Sequence, residues 1–181
     1  MNTSKKKVED TKIRFAVITV SDRCSRQEAE DKSGPRLCEL CVRSCRYDGT
    51  LVSATIIPDD FDTIKEYLIR ASEIADVVIT TGGTGFAPRD VTPEATKAVV
   101  DREANGIAIA LVQHSLKYTP LGALSRPCAG IRRKTLIVNL PGKPKAVEEN
   151  FEVLEPILAH AVLHLQEQVH VAHCQQETQN S

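Results

Sequence analysis

The sequence predicts an α/β fold in which a mostly parallel sheet carries helices on both faces. Apolar segments of strand length alternate with amphipathic segments of helix length in the order β-α-β-α-β-α. The strand candidates FAVITV and DVVIT are apolar throughout, which is typical of strands buried on both faces of a parallel sheet. The connecting segments are long enough for parallel crossovers. We therefore expect three layers, with the sheet in the middle.

The first six elements follow directly from this alternation. Strands are predicted at residues 13–20, 51–57 and 76–81, and helices at residues 36–47, 61–72 and 93–103. Asp60 and Asp62 stand at the start of the second helix, where the helix dipole favours acids. Thr92 and Pro93 are typical of an N-cap followed by a first helical residue.

The second half of the chain is less regular. A helix is predicted near residues 106–117, and KTLIVNL (134–140) is a clear strand inside a loop rich in proline and glycine. The preceding SRPCAGI can pair with that strand through a tight turn at Arg132 and Arg133. A final helix at 146–168 has one wide apolar face, and Pro156 should kink it.

A chain of 181 residues predicts one domain, here residues 13–168. We expect a flexible N-terminal tail at 1–12, and a flexible tail or the start of a linker at 169–181. The opening MNTSKKKVEDTK lacks an apolar region, and no later run of 18 apolar residues occurs, so neither a signal peptide nor a membrane span is predicted. The expected location is cytoplasmic. The net charge of -1 argues against a nucleic-acid partner bound through phosphates.

Six cysteines in a chain without an export signal favour free thiols over a disulfide framework. Cys38, Cys41 and Cys45 have a spacing that can hold a metal, but the same spacing also lies on one face of a helix. A zinc site prefers four ligands, and no clear fourth ligand stands nearby, so we favour buried thiols.

Residues with chemical potential follow four predicted strands, in the segments SDR, PDD, TGGTGFAPRD and NLPGKP. Ligands gather beyond the carboxyl ends of parallel strands, so we expect these segments to meet over one pocket. Gly82, Gly83 and Gly85 let backbone N–H groups approach an anion, although glycines can instead serve only tight turns. The loop matches neither a Walker A loop nor a dinucleotide fingerprint. Its position beside the other segments favours a phosphate site.

Acidic residues accompany the glycine loop. Asp59 and Asp90 each follow a strand by a few residues, and two carboxylates beside phosphates repel them unless a divalent cation lies between. Magnesium is usually held by one or two carboxylates together with substrate phosphates, which predicts Mg-nucleotide chemistry. Asp22 is either a third acid at the rim or the start of an Asx-turn. Glu94 is either a helix-start acid or a ligand.

Several motifs taken together resemble the molybdopterin adenylyltransferase family, and within it the N-terminal G domain of gephyrin-type proteins. They are ITVSD, the D-x-SGP pattern of residues 31–35, IPD, TTGGTGFAPRDVTPEAT, SLKYTPLGALSRPCAGIR and TLIVNLPG. The resemblance covers residues 13–168. It implies the layered, mixed-sheet fold of the molybdopterin-binding domain type. It also implies a reaction in which molybdopterin and MgATP give adenylylated molybdopterin and pyrophosphate, on the way to the molybdenum cofactor.

The resemblance also implies roles for particular residues. Asp59 and Asp90 match the essential carboxylates, as catalytic residues and as ligands of Mg2+. Arg126 and Lys143 lie in glycine- and proline-rich loops where they can meet phosphates, and the Lys143 position varies among relatives. The candidate binding residues for molybdopterin or ATP are Ser21, Asp22, Ser33, Gly34, Gly82, Gly83, Thr84, Gly85, Glu94, Ser115, Ser125, Arg126, Gly130, Asn139, Pro141 and Gly142.

Three further expectations come from the family. Its members are typically trimers, so a homotrimer is expected. Gephyrin-type proteins continue into a second, molybdate-inserting domain, and a catalytically silent scaffold or a pterin carrier are the alternatives to an enzyme. Family members commonly have glycine where Arg133 stands, which affects the predicted turn before the last strand and not the chemistry.

Overall fold

The computed structural model describes residues 11–177, with side chains described as far as residue 166. Within that range six strands form one sheet. Their bounds are β1 Lys12–Val20, β2 Asp48–Ile57, β3 Val77–Thr81, β4 Arg102–Glu103, β5 Ala129–Arg132 and β6 Thr135–Leu140. The predicted tail at residues 1–12 lies outside the described residues except for its last two positions. The end of the predicted tail at 169–181 lies outside them too.

Helices connect and flank these strands. Their bounds are α1 Asp22–Ser25, α2 Ser33–Arg43, α3 Phe61–Ile74, α4 Thr92–Lys97, α5 Asn105–Ser115, a 3₁₀ helix at Pro120–Leu124, and α6 Pro144–Glu177. None of the helices in the described part of the chain is long and apolar enough to span a bilayer.

The sheet has the strand order β2-β1-β3-β6-β5-β4. Strands β2, β1, β3 and β6 are parallel, while β5 and β4 add antiparallel pairs at one edge. The predicted mixed and mostly parallel sheet is therefore confirmed. The antiparallel edge arises because the short β5–β6 hairpin leaves no room for a crossover.

Two apolar cores lie on opposite faces of the sheet, so the three predicted layers are present. On one face α2, α5 and α6 pack on alternate side chains of β1, β3 and β6, with Phe15, Leu37 and Phe151 among the buried members. On the other face α3 and α4 pack on the intervening side chains, including Ile18 and Ile64. Because successive side chains of a strand point to opposite faces, an unbroken apolar run fills both cores.

The third predicted helix is wrong in its second half. The helix ends at Lys97, and Arg102–Glu103 form β4 against β5. The backbone N–H groups of Asp101 and Ala104 donate to carbonyls of Ile131 and Ala129, so a distant strand supplies the hydrogen bonds that a longer helix would have needed. The predicted N-cap is also wrong, since Val91 occupies that position and Thr92 is the first helical residue.

The first long helix also differs from the predicted 36–47. It begins three residues earlier, where the carboxylate of Asp31 accepts hydrogen bonds from the backbone N–H groups of Ser33 and Gly34. It ends at Arg43 because Ser44 adopts an extended conformation. Tyr47 is buried although it lies beyond the end of the helix, and its ring is 5.5 Å from that of Phe15. This buried apolar residue extended the apolar pattern past the helix, which is why the predicted helix was too long at its C-terminal end.

The predicted pairing with the last strand is confirmed for Ala129–Arg132. The predicted turn at Arg132 and Arg133 is one residue too early: Arg132 pairs with Thr135, so the two-residue turn is at Arg133 and Lys134. Arg133 has φ 53°, the left-handed region that favours glycine, and its N–H donates to Asp101 Oδ2 over 2.6 Å. This conformation explains why glycine suits the position. The final helix begins two residues before the predicted start and continues to Glu177.

Candidate active site

Three of the predicted loops adjoin at the carboxyl edge of the sheet. The ends of β1, β3 and β6 are in register, with Thr19 beside Thr81 and Thr81 beside Leu140. The loop after β3 is tied to the end of β6, because the N–H of Gly82 donates to the carbonyl of Leu140 over 3.1 Å. The loop after β2 joins them where the N–H of Ser21 donates to the carbonyl of Ile57 over 2.9 Å.

The glycine loop follows β3 in a conformation that requires glycine. Gly82 and Gly83 have φ values of 103° and 63°. A Cβ at Gly82 would lie 2.2 Å from the carbonyl oxygen of Val20, and one at Gly83 would lie 2.2 Å from Oγ1 of Thr92. Tight packing therefore accounts for both glycines, and a phosphate role depends on the groups around them.

Asp59 faces Asp22 across the loops that follow β1 and β2. Each residue bonds the other's backbone: the Asp22 N–H donates to Asp59 Oδ2 over 2.7 Å, and the Asp59 N–H donates to Asp22 Oδ1 over 3.1 Å. Burial raises the pKa of Asp59, and the carboxylates of Asp22 and Asp90 raise it further, against the lowering effect of the Asp22 N–H bond. Arg89 donates to both carboxylate oxygens of Asp22, over 2.9 and 3.0 Å.

Asp90 closes the glycine loop on itself. Its Oδ2 accepts from the N–H of Ala87 over 2.9 Å. The guanidinium of Arg126 donates to the carbonyl of Gly85 over 2.8 Å and to the carbonyl of Asp90 over 2.6 Å. A third nitrogen of Arg126 pairs with the carboxylate of Glu94 in the first turn of α4. Asp90 and Arg126 together set the shape of the loop.

The two carboxylates fit the expected magnesium ion. In each, Oδ2 is held by a backbone N–H, while Oδ1 has no hydrogen-bond partner among the described residues. Asp59 Oδ1 lies 3.0 Å from the position of a Gly83 Cβ, at the wall of the loop. Residues 11–177 contain no group of three or more His, Cys, Asp or Glu side chains arranged to hold a metal unaided. A site with two carboxylates and substrate oxygens is the arrangement that Mg2+ favours.

Two cavities share Gly82 and Gly142 in their linings, and these glycines pack so closely that a Gly142 Cβ would be 3.2 Å from the Gly82 Cα. We call them the serine-aspartate cavity and the leucine cavity. The serine-aspartate cavity has a volume of about 270 Å³ and is lined by residues that include Ser21, Asp31, Lys32 and Ser33.

The leucine cavity has a volume of about 340 Å³. Its lining contains most of the predicted glycine loop, the two predicted serines and two leucines of the 3₁₀ helix. The lining includes Gly83, Thr84, Gly85, Asp90, Ser115, Leu121, Leu124, Ser125, Pro141 and Lys143. Ser115 also exchanges hydrogen bonds with the buried Asn150, which fixes its hydroxyl at the cavity wall.

Some predicted binding residues lie away from both cavities. Asn139 is fully buried, and its amide donates to the hydroxyls of Thr80 and Thr96 beneath the loop. Gly130 lies in β5, where a Cβ would meet Val100. Gly34 packs against the Asp31 carboxylate at the start of α2 and lines a third cavity of about 570 Å³, which shares Thr19 and Asp31 with the serine-aspartate cavity.

Sequence reasoning missed three features of the site. Arg89 was not assigned a role, although it stands next to Asp90 in the quoted loop. Asp31 organises the wall of the serine-aspartate cavity by also accepting from the hydroxyl of Thr19 over 2.6 Å. Leu121 and Leu124 line the leucine cavity. Nothing in the sequence indicates this role except their position between the two serine motifs.

The sheet is mostly parallel, and at its carboxyl edge lie a glycine loop, two carboxylates and two adjoining cavities. These features define a ligand-binding α/β domain whose site lies beyond the strand ends. The chain belongs to the family described as the probable molybdopterin binding domain, whose model matches residues 16–160. The predicted family resemblance is thereby confirmed.

Named relatives extend this result. The chain is 43% identical over 152 residues to the molybdenum cofactor synthesis protein cinnamon of Drosophila melanogaster, and 41% identical to gephyrin of Dictyostelium discoideum. It covers only 25% and 21% of those two proteins, and the matches include 83% and 81% of this chain. The molybdopterin adenylyltransferase of Helicobacter pylori J99 is 41% identical, with 83% of this chain and 86% of that protein covered.

A solved structure agrees with the fold. The molybdopterin biosynthesis enzyme MoaB from Thermus thermophilus is 38% identical and superposes with a TM-score of 0.78. The match covers 84% of this chain and 96% of that one.

Proposed function

We propose that this chain is a molybdopterin adenylyltransferase that acts in molybdenum cofactor biosynthesis. An oxygen of the terminal phosphate of molybdopterin attacks the α-phosphorus of ATP, the bond to the β-phosphate breaks, and pyrophosphate leaves. The adenylylated pterin and pyrophosphate are the products. The likeness to the Helicobacter pylori molybdopterin adenylyltransferase and the geometry of the site both support this reaction.

The observation that carries the proposal is that the two cavities share Gly82 and Gly142 in their linings. Two substrates bound in these cavities can therefore bring their phosphate ends together at the glycine loop. The leucine cavity has apolar and hydroxyl groups suited to a pterin ring. The serine-aspartate cavity is suited to the nucleotide. A positioned pair of reactants is a large part of catalysis in phosphoryl and nucleotidyl transfer.

The protein's own groups have distinct tasks in this reaction. Asp59 and Asp90 are the residues that would hold Mg2+, which when bound supplies positive charge against the phosphates of ATP. Backbone N–H groups of the glycine loop orient the phosphates. Ser115 and Ser125 hold the pterin side. Burial raises the pKa of Asp59 and leaves its charged form poorly solvated, so a bound cation would stabilise that charge.

The proposal is tested with ATP that carries its label either on the α-phosphate or on the γ-phosphate. Purified protein, molybdopterin and magnesium should transfer the α-label to the pterin and release the γ-label in pyrophosphate. Transfer of the γ-label would make the protein a kinase. Tight pterin binding without transfer of either label would favour the alternative of a pterin carrier.

Two relatives suggest what accompanies the chain. Cinnamon and gephyrin are several times longer than the region they share with this chain. We therefore propose that the product passes to a second, molybdate-inserting domain or protein, and that the reaction takes place in the cytoplasm. Free thiols at every described cysteine position support a reducing location.

A homotrimer is the proposed assembly. Helix α5 and the turn after it expose large apolar side chains, with Ile109 at 56%, Leu116 at 46% and Tyr118 at 49%. Such a surface is typical of a contact between protein chains. Replacing Ile109 with Glu should shift the mass measured by light scattering from trimer toward monomer.

A further inference from the structure

Two arginines reach the candidate active site, and their hydrogen bonds differ in kind. Arg126 donates to two backbone carbonyls and to a carboxylate, all within the glycine loop and α4. Within residues 11–177, Arg89 donates only to the side chain of Asp22, and 63% of its own side chain is exposed, against 35% for Arg126.

Removing Arg126 from its place would leave the carbonyls of Gly85 and Asp90 without their donors, which is unfavourable for polar groups at a closed loop. Arg89 donates to no backbone carbonyl among the described residues. An exposed ion pair adds little to stability, because water solvates both partners well when they separate. Arg89 can therefore exchange its partner at small cost, while Arg126 cannot.

Asp22 does not need Arg89 to stay in position. Its N–H and its carboxylate are both bonded to Asp59, through contacts of 2.7 and 3.1 Å that do not involve the arginine. The pair of aspartates is thus held by its own backbone. The guanidinium beside it balances the negative charge of the acids and makes no other hydrogen bond or ion pair among the described residues.

We propose that Arg89 binds the phosphates of the nucleotide, and that it leaves Asp22 to do so. The planar guanidinium can donate two parallel hydrogen bonds to a phosphate just as it does to the Asp22 carboxylate. Through the Asp22 carboxylate the guanidinium of Arg89 lies beside Asp59, one of the two proposed magnesium ligands, and its charge acts on that carboxylate. This inference rests on the proposed adenylyltransferase reaction and assigns the residue that recognises its anionic substrate.

The test compares the affinity of the intact protein and its variants for MgATP and for magnesium pyrophosphate, by calorimetry without pterin. Arg89→Ala should weaken both by about tenfold to a hundredfold, the loss expected for charge-assisted hydrogen bonds to phosphate. Arg89→Lys should retain part of the affinity, since lysine keeps the positive charge but cannot donate two parallel hydrogen bonds to one phosphate. Arg26→Ala is the matched control, because Arg26 is also exposed and pairs with a single carboxylate, that of Glu28.

Steady-state kinetics give a second readout. Arg89→Ala should raise the KM for ATP and leave the KM for molybdopterin unchanged, with an unaltered thermal unfolding midpoint. Equal MgATP affinity in Arg89→Ala and wild type would overturn the assignment while leaving the adenylyltransferase reaction intact. Failure of the wild-type protein to bind MgATP at all would overturn both.

Discussion

Asp59 and Asp90 both lie in loops that follow parallel strands, β2 and β3, yet the two sides of the site are built differently. On the Asp59 side, formed by Asp22, Asp59 and Arg89, the carboxylates bond each other's backbone and the arginine is exposed. On the Asp90 side, formed by Asp90, Glu94 and Arg126, the arginine is bonded to carbonyls of the loop.

The difference separates two requirements of a transfer site. Charge on the Asp59 side can be redistributed when substrates arrive, since the ion pair there is weak. The Asp90 side keeps the glycine loop in one shape, so that reacting groups are positioned before reaction. It also gives Glu94 a definite partner, because its carboxylate pairs with Arg126 in the first turn of α4.

The largest expected effect is loss of turnover when either aspartate loses its charge. Asp59→Asn and Asp90→Asn should each lower kcat by about a hundredfold to a thousandfold, because electrostatic contributions dominate this kind of catalysis. Pterin affinity should remain near that of wild type. Asp62→Asn, at an exposed acid of α3, serves as the control. Normal turnover in either variant would remove that residue from the catalytic assignment.

The next effect separates the two sides. Arg126→Lys keeps the positive charge but cannot donate to both carbonyls at once, so kcat should fall by about a hundredfold as the loop shifts. Hydrogen exchange at the N–H of Ala87 should become faster, because Asp90 is no longer fixed. Arg70→Lys, on the exposed surface of α3, should change neither quantity. A lysine that restores full activity would mean that charge alone matters on the Asp90 side.

A smaller effect is expected at the leucine cavity. Ser115→Ala removes one hydroxyl, which should raise the KM for molybdopterin by about threefold to tenfold, the value of an ordinary hydrogen bond, and leave the KM for ATP unchanged. Initial rates over a range of each substrate distinguish the two. An increase confined to ATP would reverse the assignment of the two cavities.

The smallest effect is on stability. The pKa of Asp59 is raised mainly by burial, so its ionisation disfavours the folded state, and stability is lost as the pH rises through that pKa. Asp59→Asn should therefore raise the thermal unfolding midpoint of the metal-free protein at neutral pH, with the gain vanishing in acid.

Asp60 is the matched comparison for that measurement. Hydrogen bonds from Thr63 lower the pKa of Asp60, so its contribution is present at neutral pH and is lost as the pH falls through the lowered value. Asp60→Ala should lower the midpoint at neutral pH. The same sign for both variants would contradict the stated cause of the Asp59 shift.

Much of the fold was predictable because it depends on local pattern. Unbroken apolar runs identified β1, β3 and β6, and turn chemistry with a following strand indicated the β5–β6 hairpin. The short strand β4 was not predictable, since its only strand feature is pairing with β5, which lies far along the chain beyond α5 and the 3₁₀ helix. Local pattern cannot report a hydrogen bond to a distant partner.

The site divides in the same way. The glycine loop and both aspartates are predicted as site residues from their places after strands, whereas the roles of neighbouring side chains depend on long-range contacts. Arg89 meets Asp22 across 67 positions, and Arg126 meets Gly85 across 41. Both contacts exist only once the strand ends are brought together, so residue type alone could not separate a loop-holding arginine from an exposed one.

The central claim is that the two sides of this site act together to transfer AMP to molybdopterin. A single-turnover experiment tests it most directly: pterin-loaded protein is mixed with MgATP, and adenylylated pterin and pyrophosphate are measured together. We expect equal amounts of both products from the wild-type protein, and almost none from Asp59→Asn or Asp90→Asn despite retained pterin. Pyrophosphate release without adenylylated pterin, or undiminished product from both variants, would contradict the account.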